Sequence, residues 1–276
     1  MTGAEADSVS GPRDRAQLDL LAASERAGVS VSALLSPTEV EKARELMEDI
    51  WGPAVVVPRN VLRGLAIAGT FLLVAERGGQ PVGFAMGFLG WENGLHLHSH
   101  QVGVREAARG SGVGMALKLA QRLICLEHGV TEMRWTFDPL LRPNAMFNLH
   151  RLGARVRAFL PDCYGPRQDN FNTGERTDRL EVSWDLTGPL GAQCLDGGSG
   201  PPLVDPEPIP HRSESLPVAG SVVAIPADYA ALRTTDRTRA DAWRVSVASA
   251  LADVADAGLA VAGLSQQGYL VGGRAR

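Results

Sequence analysis

The stretch from Val102 to Leu123, VGVREAARGSGVGMALKLAQRL, constrains the fold more than any other part of the chain. A strand-like apolar run leads into a basic, glycine-rich turn at residues 109–114, here called the glycine corner, and a run with helical apolar spacing follows. Glycine lets backbone approach a ligand without a Cβ in the way. The first amides of a helix have no partner within it, and the helix dipole favours negative charge there. The corner therefore predicts a cradle for an anion, most naturally a phosphate.

Two well-known phosphate motifs do not fit the glycine corner. A P-loop ends in Gly-Lys followed by Ser or Thr, whereas this turn ends in Gly114, Met115 and Ala116. The dinucleotide fingerprint, counted from Gly110, needs Gly or Ala where Met115 stands. Close packing of the helix on the strand is the alternative explanation of the three glycines.

Composition excludes several classes of function. The formal net charge is -4 and the charges form no block, so no nucleic-acid partner is expected. No run of about 18 apolar residues suggests a membrane span, and the first residues do not read as a secretory signal. Three cysteines lie far apart without metal-type spacing, which is typical of a reducing compartment. We therefore expect a cytoplasmic protein without a bound metal.

The periodic segments predict a mixed α/β fold in the order β-α-α-β-β-β-α-β-α-β, followed by a β-α-β tail. Ser36 and Glu39 form a predicted capping box, and the glycines of RGGQ predict a hairpin turn. Composition divides the chain into four parts. They are a flexible N-terminal segment (1–28), in which residues 13–27 could form a short helix, a folded core (29–187), a Gly/Pro-rich linker or loop (188–215) and a β-α-β extension packing on the core (216–276).

The glycine corner resembles the signature of the GNAT superfamily of acyl-CoA-dependent N-acyltransferases. In that pattern Arg or Gln is followed by two residues, Gly, one residue, and Gly or Ala, and Arg109, Gly112 and Gly114 fill these places. The string NAMFNLHRLGA is similar to a later helix of the family. Further strings, among them LHSHQVGV, WTFDPLLRPNAMFNLHRLGA and TDRLEVSW, resemble a branch of predicted bacterial acetyltransferases. The likeness runs from about residue 30 to the C-terminus, except for the linker.

The resemblance implies a GNAT-like mixed, mostly antiparallel central sheet flanked by helices, with a C-terminal β-α-β extension. It implies acetyl-CoA or another acyl-CoA as co-substrate. In the family, amides of the strand hold the pantetheine arm and amides of the turn hold the pyrophosphate. The residues expected to bind CoA are therefore Val102, Gly103, Val104, Arg109, Gly110, Ser111, Gly112, Val113, Gly114 and Asn144.

Acyl transfer to an amine needs a base for the amine proton and a proton donor for the departing thiolate. His98 and His100 are the candidate bases, because with His96 they alternate along a predicted strand that leads into the corner. Satisfied structural histidines, and less favoured zinc ligands, are the alternatives. Asp138, at a strand end, is a candidate for binding the amine or orienting a histidine, and a turn former before Pro139 is the alternative. Asn144 has the alternative role of a helix N-cap.

One departure from the family concerns the proton donor. The family often has a Tyr four residues before the glycine of the later helix, and here that position is Leu149. Tyr164 is the candidate substitute. Arg244 beside Trp243 is a candidate for a substrate carboxylate, with a solvated arginine as the alternative.

The sequence therefore predicts an N-acyltransferase that moves an acetyl or succinyl group from CoA to a small-molecule amine, such as an amino acid. A catalytically inactive GNAT-like module that binds acyl-CoA or a partner is the alternative. Acyltransferases of this fold are often homodimers, so a homodimer is one expectation.

Overall fold

The protein is described by a computed structural model that covers residues 11–53, 56–69, 71–165, 176–191 and 217–274. Two compact units divide the chain. The first comprises the residues up to Met133 together with Asp185–Gly188, and the second comprises Arg134–Trp184 and Pro189–Arg276. The predicted linker lies largely outside the described residues, as does Cys194.

The first unit contains four antiparallel strands joined side by side in chain order. The predicted RGGQ hairpin is confirmed, since its strands turn at Gly78 and Gly79, both in the left-handed region. The strands are β1 (Ser30–Ala33), β2 (Leu72–Arg77), β3 (Gln80–Gly90) and β4 (His96–Val104).

Four helices accompany these strands, and they are α1 (Pro12–Ala27), α2 (Pro37–Trp51), α3 (Arg59–Ile67) and α4 (Val113–Glu127). The predicted capping box of α2 is confirmed, because the Ser36 hydroxyl accepts from the Glu39 amide and the Glu39 carboxylate accepts from the Ser36 amide. A hydrophobic core lies between the sheet and helices α1 and α4, with Ala75, Ala85 and Leu117 fully buried.

Helix α1 occupies much of the segment expected to be flexible. Pro12 opens the helix and Gly28, in the left-handed conformation, ends it. Ala16, Ala23 and Ala27 share its buried face, and their short side chains give a weak hydrophobic signal in the sequence. The short helix considered for residues 13–27 is present as Pro12–Ala27, and it packs on α4.

The second unit holds the remaining helices and most residues of the remaining strands. Strands β5 (Glu132–Phe137), β6 (Arg155–Leu160) and β7 (Arg179–Asp185) bring the main sheet to seven strands, and β6 pairs antiparallel with β7. A short helix α5 (Arg142–Ala145) continues into a π-helical turn, Met146–Arg151. The C-terminal elements are β8 (Val222–Ala224), α6 (Tyr229–Thr235), α7 (Arg237–Asp256), β9 (Leu259–Leu264) and β10 (Gly268–Arg274).

The predicted fold class is confirmed as a mixed α/β fold with a mostly antiparallel sheet flanked by helices. Strand β6 was missing from the predicted order. The C-terminal extension is also richer than β-α-β, since β8, β10 and β9 form a separate antiparallel sheet in that order. The boundary between the two units falls within the predicted core 29–187, and the predicted domain division stays a prediction.

Candidate active site

Strand β4 carries a β-bulge directly before the residues expected to bind CoA. Phe88 pairs with His98 and Met86 pairs with Gln101, so Ser99 and His100 stand opposite Gly87 alone. A Cβ on Gly87 would lie 2.8 Å from the carbonyl oxygen of His98. Glycine at position 87 therefore allows β3 to approach β4 closely at the bulge.

The bulge brings the two candidate bases together with an aromatic ring. The Phe88 ring stacks on His98 at 5.1 Å between centroids and lies 5.6 Å from His100. The two imidazoles are 5.9 Å apart. The strict alternation predicted for the three histidines is interrupted after His98. His96 is buried at the hairpin end, where Nδ1 lies 2.9 Å from the Gly94 carbonyl oxygen.

His98 is neutral at physiological pH. Burial, then the neighbouring His100 and His96, lower the pKa of His98 to about 4. A neutral imidazole has a nitrogen that accepts a proton, so His98 is in the protonation state that a base requires.

A buried polar network lies against the bulge on the α4 side. The Lys118 Nζ atom donates to the Ser99 hydroxyl at 2.9 Å, and that hydroxyl donates to the Gln121 side-chain oxygen at 2.8 Å. All three side chains are buried. Desolvation lowers the pKa of Lys118 well below its usual value. Sequence reasoning missed this network because Lys118 and Gln121 occupy positions of an apolar-periodic helix that read as surface.

Backbone conformation explains two of the three glycines of the glycine corner. Gly110 has φ 77° and Gly112 has φ 91°, both in the left-handed region. No described atom lies within 4 Å of a Cβ placed on Gly110, and a Cβ on Gly114 would meet only Val104 at 3.9 Å. Close packing of helix α4 on the strand therefore does not account for glycine at positions 110 and 114.

Other residues of the predicted CoA site lie in the first unit beside the corner. Gly103 has a packing reason of its own, because a Cβ there would lie 2.3 Å from the Trp51 ring. The Arg109 side chain is exposed and donates to the Val104 carbonyl at 3.4 Å. Ser111 accepts a hydrogen bond from Arg77 at 2.8 Å, a contact that sequence reasoning missed because 34 residues separate the two.

Asp138 lies in the second unit in a buried ion pair. Both of its carboxylate oxygens accept from Arg244, at 2.8 and 2.7 Å, and one also accepts from the Leu140 amide. Arg244 is buried, and its guanidinium lies 4.9 Å from the Tyr229 ring centroid. The structure thus gives Asp138 a turn-forming and an ion-pairing role, and Arg244 is not the solvated residue of the alternative. A catalytic role of Asp138 stays a prediction.

Tyr164 and Asp138 share a neighbour, the side chain of Arg179. The Tyr164 hydroxyl is 2.8 Å from the Thr136 hydroxyl on β5. The Arg179 guanidinium lies 5.6 Å from the Tyr164 ring centroid, and its Nη1 is 3.9 Å from Asp138. Two candidate site residues of this unit, Asp138 and Tyr164, therefore lie beside Arg179.

Asn144 is an exposed residue inside helix α5, whose N-cap is Leu141. The alternative role of Asn144 as N-cap is therefore wrong. Its predicted contact with CoA stays a prediction.

Covalent catalysis by cysteine and metal binding are two other chemistries that a site of this kind could use. Burial raises the pKa of the Cys125 thiol to about 12, so the thiolate needed for covalent catalysis is not formed at neutral pH. Among the residues that the structure describes, no group of three or more His, Cys, Asp or Glu side chains could hold a metal ion. Over the same residues no helix is long and apolar enough to cross a membrane.

Comparison with solved structures identifies several acetyltransferases, while no curated protein matches the chain. Ard1 from Thermoplasma volcanium is 17% identical with a TM-score of 0.46, covering 57% of this chain and 97% of that one. The ribosomal-protein-S18-alanine N-acetyltransferase from Escherichia coli is 14% identical with a TM-score of 0.47, covering 58% and 96%. Diaminobutyrate acetyltransferase from Paenibacillus lautus, solved with L-2,4-diaminobutyric acid and coenzyme A, is 16% identical with a TM-score of 0.44, covering 59% and 98%.

A likeness to a known family is found in part of the sequence. The model of the acetyltransferase (GNAT) family matches residues 41–153, a span that runs from helix α2 to the end of the π-helical turn. It includes the bulged strand β4, the glycine corner and helix α4. Residues 41–153 of the chain are therefore similar to the acetyltransferase (GNAT) family.

Proposed function

We propose that the protein is an acyl-CoA-dependent N-acyltransferase that moves an acetyl or succinyl group to the amine of a small molecule, such as an amino acid. The observation that carries the proposal is the glycine corner. Gly110 and Gly112 hold left-handed backbone at the start of α4, and neither Gly110 nor Gly114 is required by packing. Backbone amides at a helix N-terminus with open space before them suit a pyrophosphate.

Acyl-CoA is the proposed acyl donor because of the glycine corner and strand β4. The proposed CoA contacts are the backbone of Val102–Val104 for the pantetheine arm and the corner for the pyrophosphate. Arg109 adds positive charge beside the corner, and Asn144 is a further proposed contact. The chemistry needs no metal, since the thioester is already activated towards an amine.

The reaction is a direct transfer in this proposal. The neutral amine attacks the thioester carbonyl carbon, the C–N bond forms, and the C–S bond breaks as the tetrahedral intermediate collapses. The amine proton passes to a base, and the departing CoA thiolate takes up a proton. His98 and His100 are the proposed bases. Tyr164 is the proposed proton donor. Asp138 is a candidate for binding the amine or orienting a histidine.

A second candidate function is an acyl-CoA-binding module without turnover. The observation that favours it is Leu149 in the place where the family often has its proton-donating tyrosine. Release of free CoA from acetyl-CoA or succinyl-CoA in the presence of an amine panel separates the two functions, because only the enzyme turns over.

The first test of the proposal is calorimetric titration of the protein with acetyl-CoA. We expect binding in the micromolar range, and we expect Gly112→Asp to weaken it at least about tenfold by placing a carboxylate in the anion cradle. Gly129→Asp is the matched control. Gly129 has φ 72°, and no described atom lies within 4 Å of a Cβ placed there, so it imposes similar backbone strain and the same charge at the other end of α4.

Two results would contradict the proposal. If the folded wild-type protein binds no acyl-CoA, both proposed functions, the enzyme and the acyl-CoA-binding module, are refuted. If Gly112→Asp and Gly129→Asp weaken binding equally, the effect comes from strain or net charge, and the glycine corner is not the pyrophosphate site.

A further inference from the structure

Arg77, at the end of β2, joins two parts of the first unit that are distant in sequence. Its Nη2 donates to the carbonyl oxygen of Ala27 at 2.7 Å and to the hydroxyl of Ser111 at 2.8 Å. The Ser111 hydroxyl in turn donates to the carbonyl oxygen of Ala108 at 2.7 Å. A single guanidinium nitrogen therefore links the last residue of α1 to the glycine corner.

The end of α1 touches the corner at a second point. A Cβ placed on Gly112 would lie 3.5 Å from the Cβ of Ala27, which is ordinary van der Waals contact. Ala27 is buried, and Gly28 ends the helix in the left-handed conformation. The C-terminal end of α1 thus forms part of the wall beside Gly112.

This arrangement has an electrostatic cost that Arg77 offsets. The last carbonyls of a helix have no partner within it, and the C-terminal end carries partial negative charge. Such an end beside an anion cradle would repel a phosphate. The Arg77 guanidinium donates to the Ala27 carbonyl, which satisfies it, and adds a full positive charge on the same side of the corner.

Helix α1 is fixed to α4 by two ion pairs of different kinds. Asp19 pairs with Arg122 at 2.8 Å, and the Arg122 side chain is only 1% exposed. Arg13 pairs with Glu127 at 3.2 Å on the surface, at the opposite ends of both helices from the glycine corner. The Asp19–Arg122 pair anchors α1 on α4. The Arg13–Glu127 pair provides a control position at which a substitution leaves the glycine corner unchanged.

We propose that Arg77 is a positioning residue for the CoA site, holding the glycine corner and the end of α1 in the arrangement that receives the pyrophosphate. The proposal rests on the proposed function. It extends the CoA site to α1, a helix that lies outside the span matched by the family.

The test compares Arg77→Met with the surface control Arg13→Met, using CoA and pantetheine as the two probes. Pantetheine lacks the pyrophosphate and adenosine, so it reports only the arm of the site. We expect Arg77→Met to weaken CoA binding about tenfold, the loss that one charge-assisted hydrogen bond accounts for. Pantetheine binding, followed by ligand-observed NMR up to millimolar concentration, should be unchanged. Arg13→Met should bind both probes as the wild type does.

Two further measurements separate positioning from a general loss of structure. Arg77→Lys keeps the charge on a single ammonium and should restore part of the CoA affinity. By reciprocity, CoA should slow amide hydrogen exchange at the C-terminal end of α1 in the wild type and not in Arg77→Met. The circular dichroism spectrum and melting temperature establish that each variant is folded.

Three outcomes would overturn the proposal. A folded Arg77→Met with wild-type affinity for CoA would show that the bridge has no role in binding. An equal loss for CoA and pantetheine, or unchanged exchange of α1 in the wild type, would make Arg77 a structural residue only. A wild-type protein that binds no CoA would refute the proposed function itself, which is a different result from CoA binding that ignores Arg77.

Discussion

His98 is partly buried and lies on strand β4, which also carries Val102–Val104, the residues expected to bind the pantetheine arm. Burial and two neighbouring histidines depress its pKa, so the folded protein keeps it neutral while the unfolded chain protonates it near its usual value of 6.5. Such a group makes stability depend on pH in a defined direction. Between these two values the unfolded state binds more protons than the folded state, so stability falls as pH falls.

We expect the free energy of unfolding to decrease from pH 6.5 to about 4 because His98 stays neutral in the fold. Since the side chain is only partly buried, the expected loss is on the order of 1 to 3 kcal/mol. His98→Gln, which does not titrate, should lack this part of the decrease. Chemical denaturation of both proteins across this pH range checks it. Parallel pH curves for the two proteins would mean that His98 is protonated as readily in the fold as in the unfolded chain.

At the scale of elements, helix α7 is held by charge as well as by apolar burial. Trp243, Val247 and Leu251 are buried on one face, and Arg244 beside them forms the bidentate pair with Asp138. The same helix carries a second ion pair, Arg237 with Asp241, in which both side chains are about half exposed. One helix therefore provides a buried and an exposed pair for comparison.

We expect Arg244→Met to destabilise the protein by about 3 to 5 kcal/mol, because it leaves the buried Asp138 carboxylate without its main partner. Arg237→Met, the exposed control, should cost at most about 1 kcal/mol. Urea denaturation measures both. If the two variants lose similar stability, the buried pair contributes no more than a surface pair, and Asp138 is available for another role.

At the scale of the whole molecule, the C-terminal residues are bound into the second unit through a few polar groups. Arg142 donates to the carbonyl oxygens of Pro226 and Ile225, at 3.3 and 2.8 Å. The Tyr269 hydroxyl donates to the carbonyl of Pro139 at 2.7 Å. His150 Nε2 lies 2.8 Å from the carbonyl of Leu264. Removing residues 217–274 would break all of these hydrogen bonds together.

We therefore expect a shortened chain of residues 1–191 to lose cooperative thermal unfolding. The polar groups of Asp138, Arg142 and Pro139 would lose partners together, and each unsatisfied buried group costs about 1 to 3 kcal/mol. Differential scanning calorimetry of the full and shortened chains measures this. A shortened chain with one sharp transition at the wild-type temperature would instead support the predicted independent core at 29–187.

The sequence was sufficient where local rules decide structure. The capping box at Ser36 and Glu39, the RGGQ turn and the start of α4 at the glycine corner each depend on residues a few positions apart. Strand β6 was missed, because Ala158, Phe159 and Leu160 are consecutive apolar residues and RVRAFL therefore lacks strict alternation. Its burial does not alternate either, since every residue from Val156 to Leu160 is half-buried.

The features that the sequence could not predict depend on contacts between residues that are far apart in the chain. The Asp138–Arg244 pair joins residues 106 apart, and each was identified as a candidate without the other. The bulge at Ser99 and His100 arises from the register with β3 and from the close approach at Gly87. No local pattern encodes either, because both depend on which distant residues meet after folding.

The buried thiol of Cys125 has a practical consequence for the helix that begins at the glycine corner. Cys125 is 0% exposed and lies near the C-terminal end of α4. An alkylating reagent can reach it only when this helix opens, so the labelling rate reports how often that happens. A ligand that binds the closed form at the other end of the helix should slow the labelling in proportion to its occupancy. The chain thus contains its own chemical probe for ligand binding, detectable by mass spectrometry without any introduced dye.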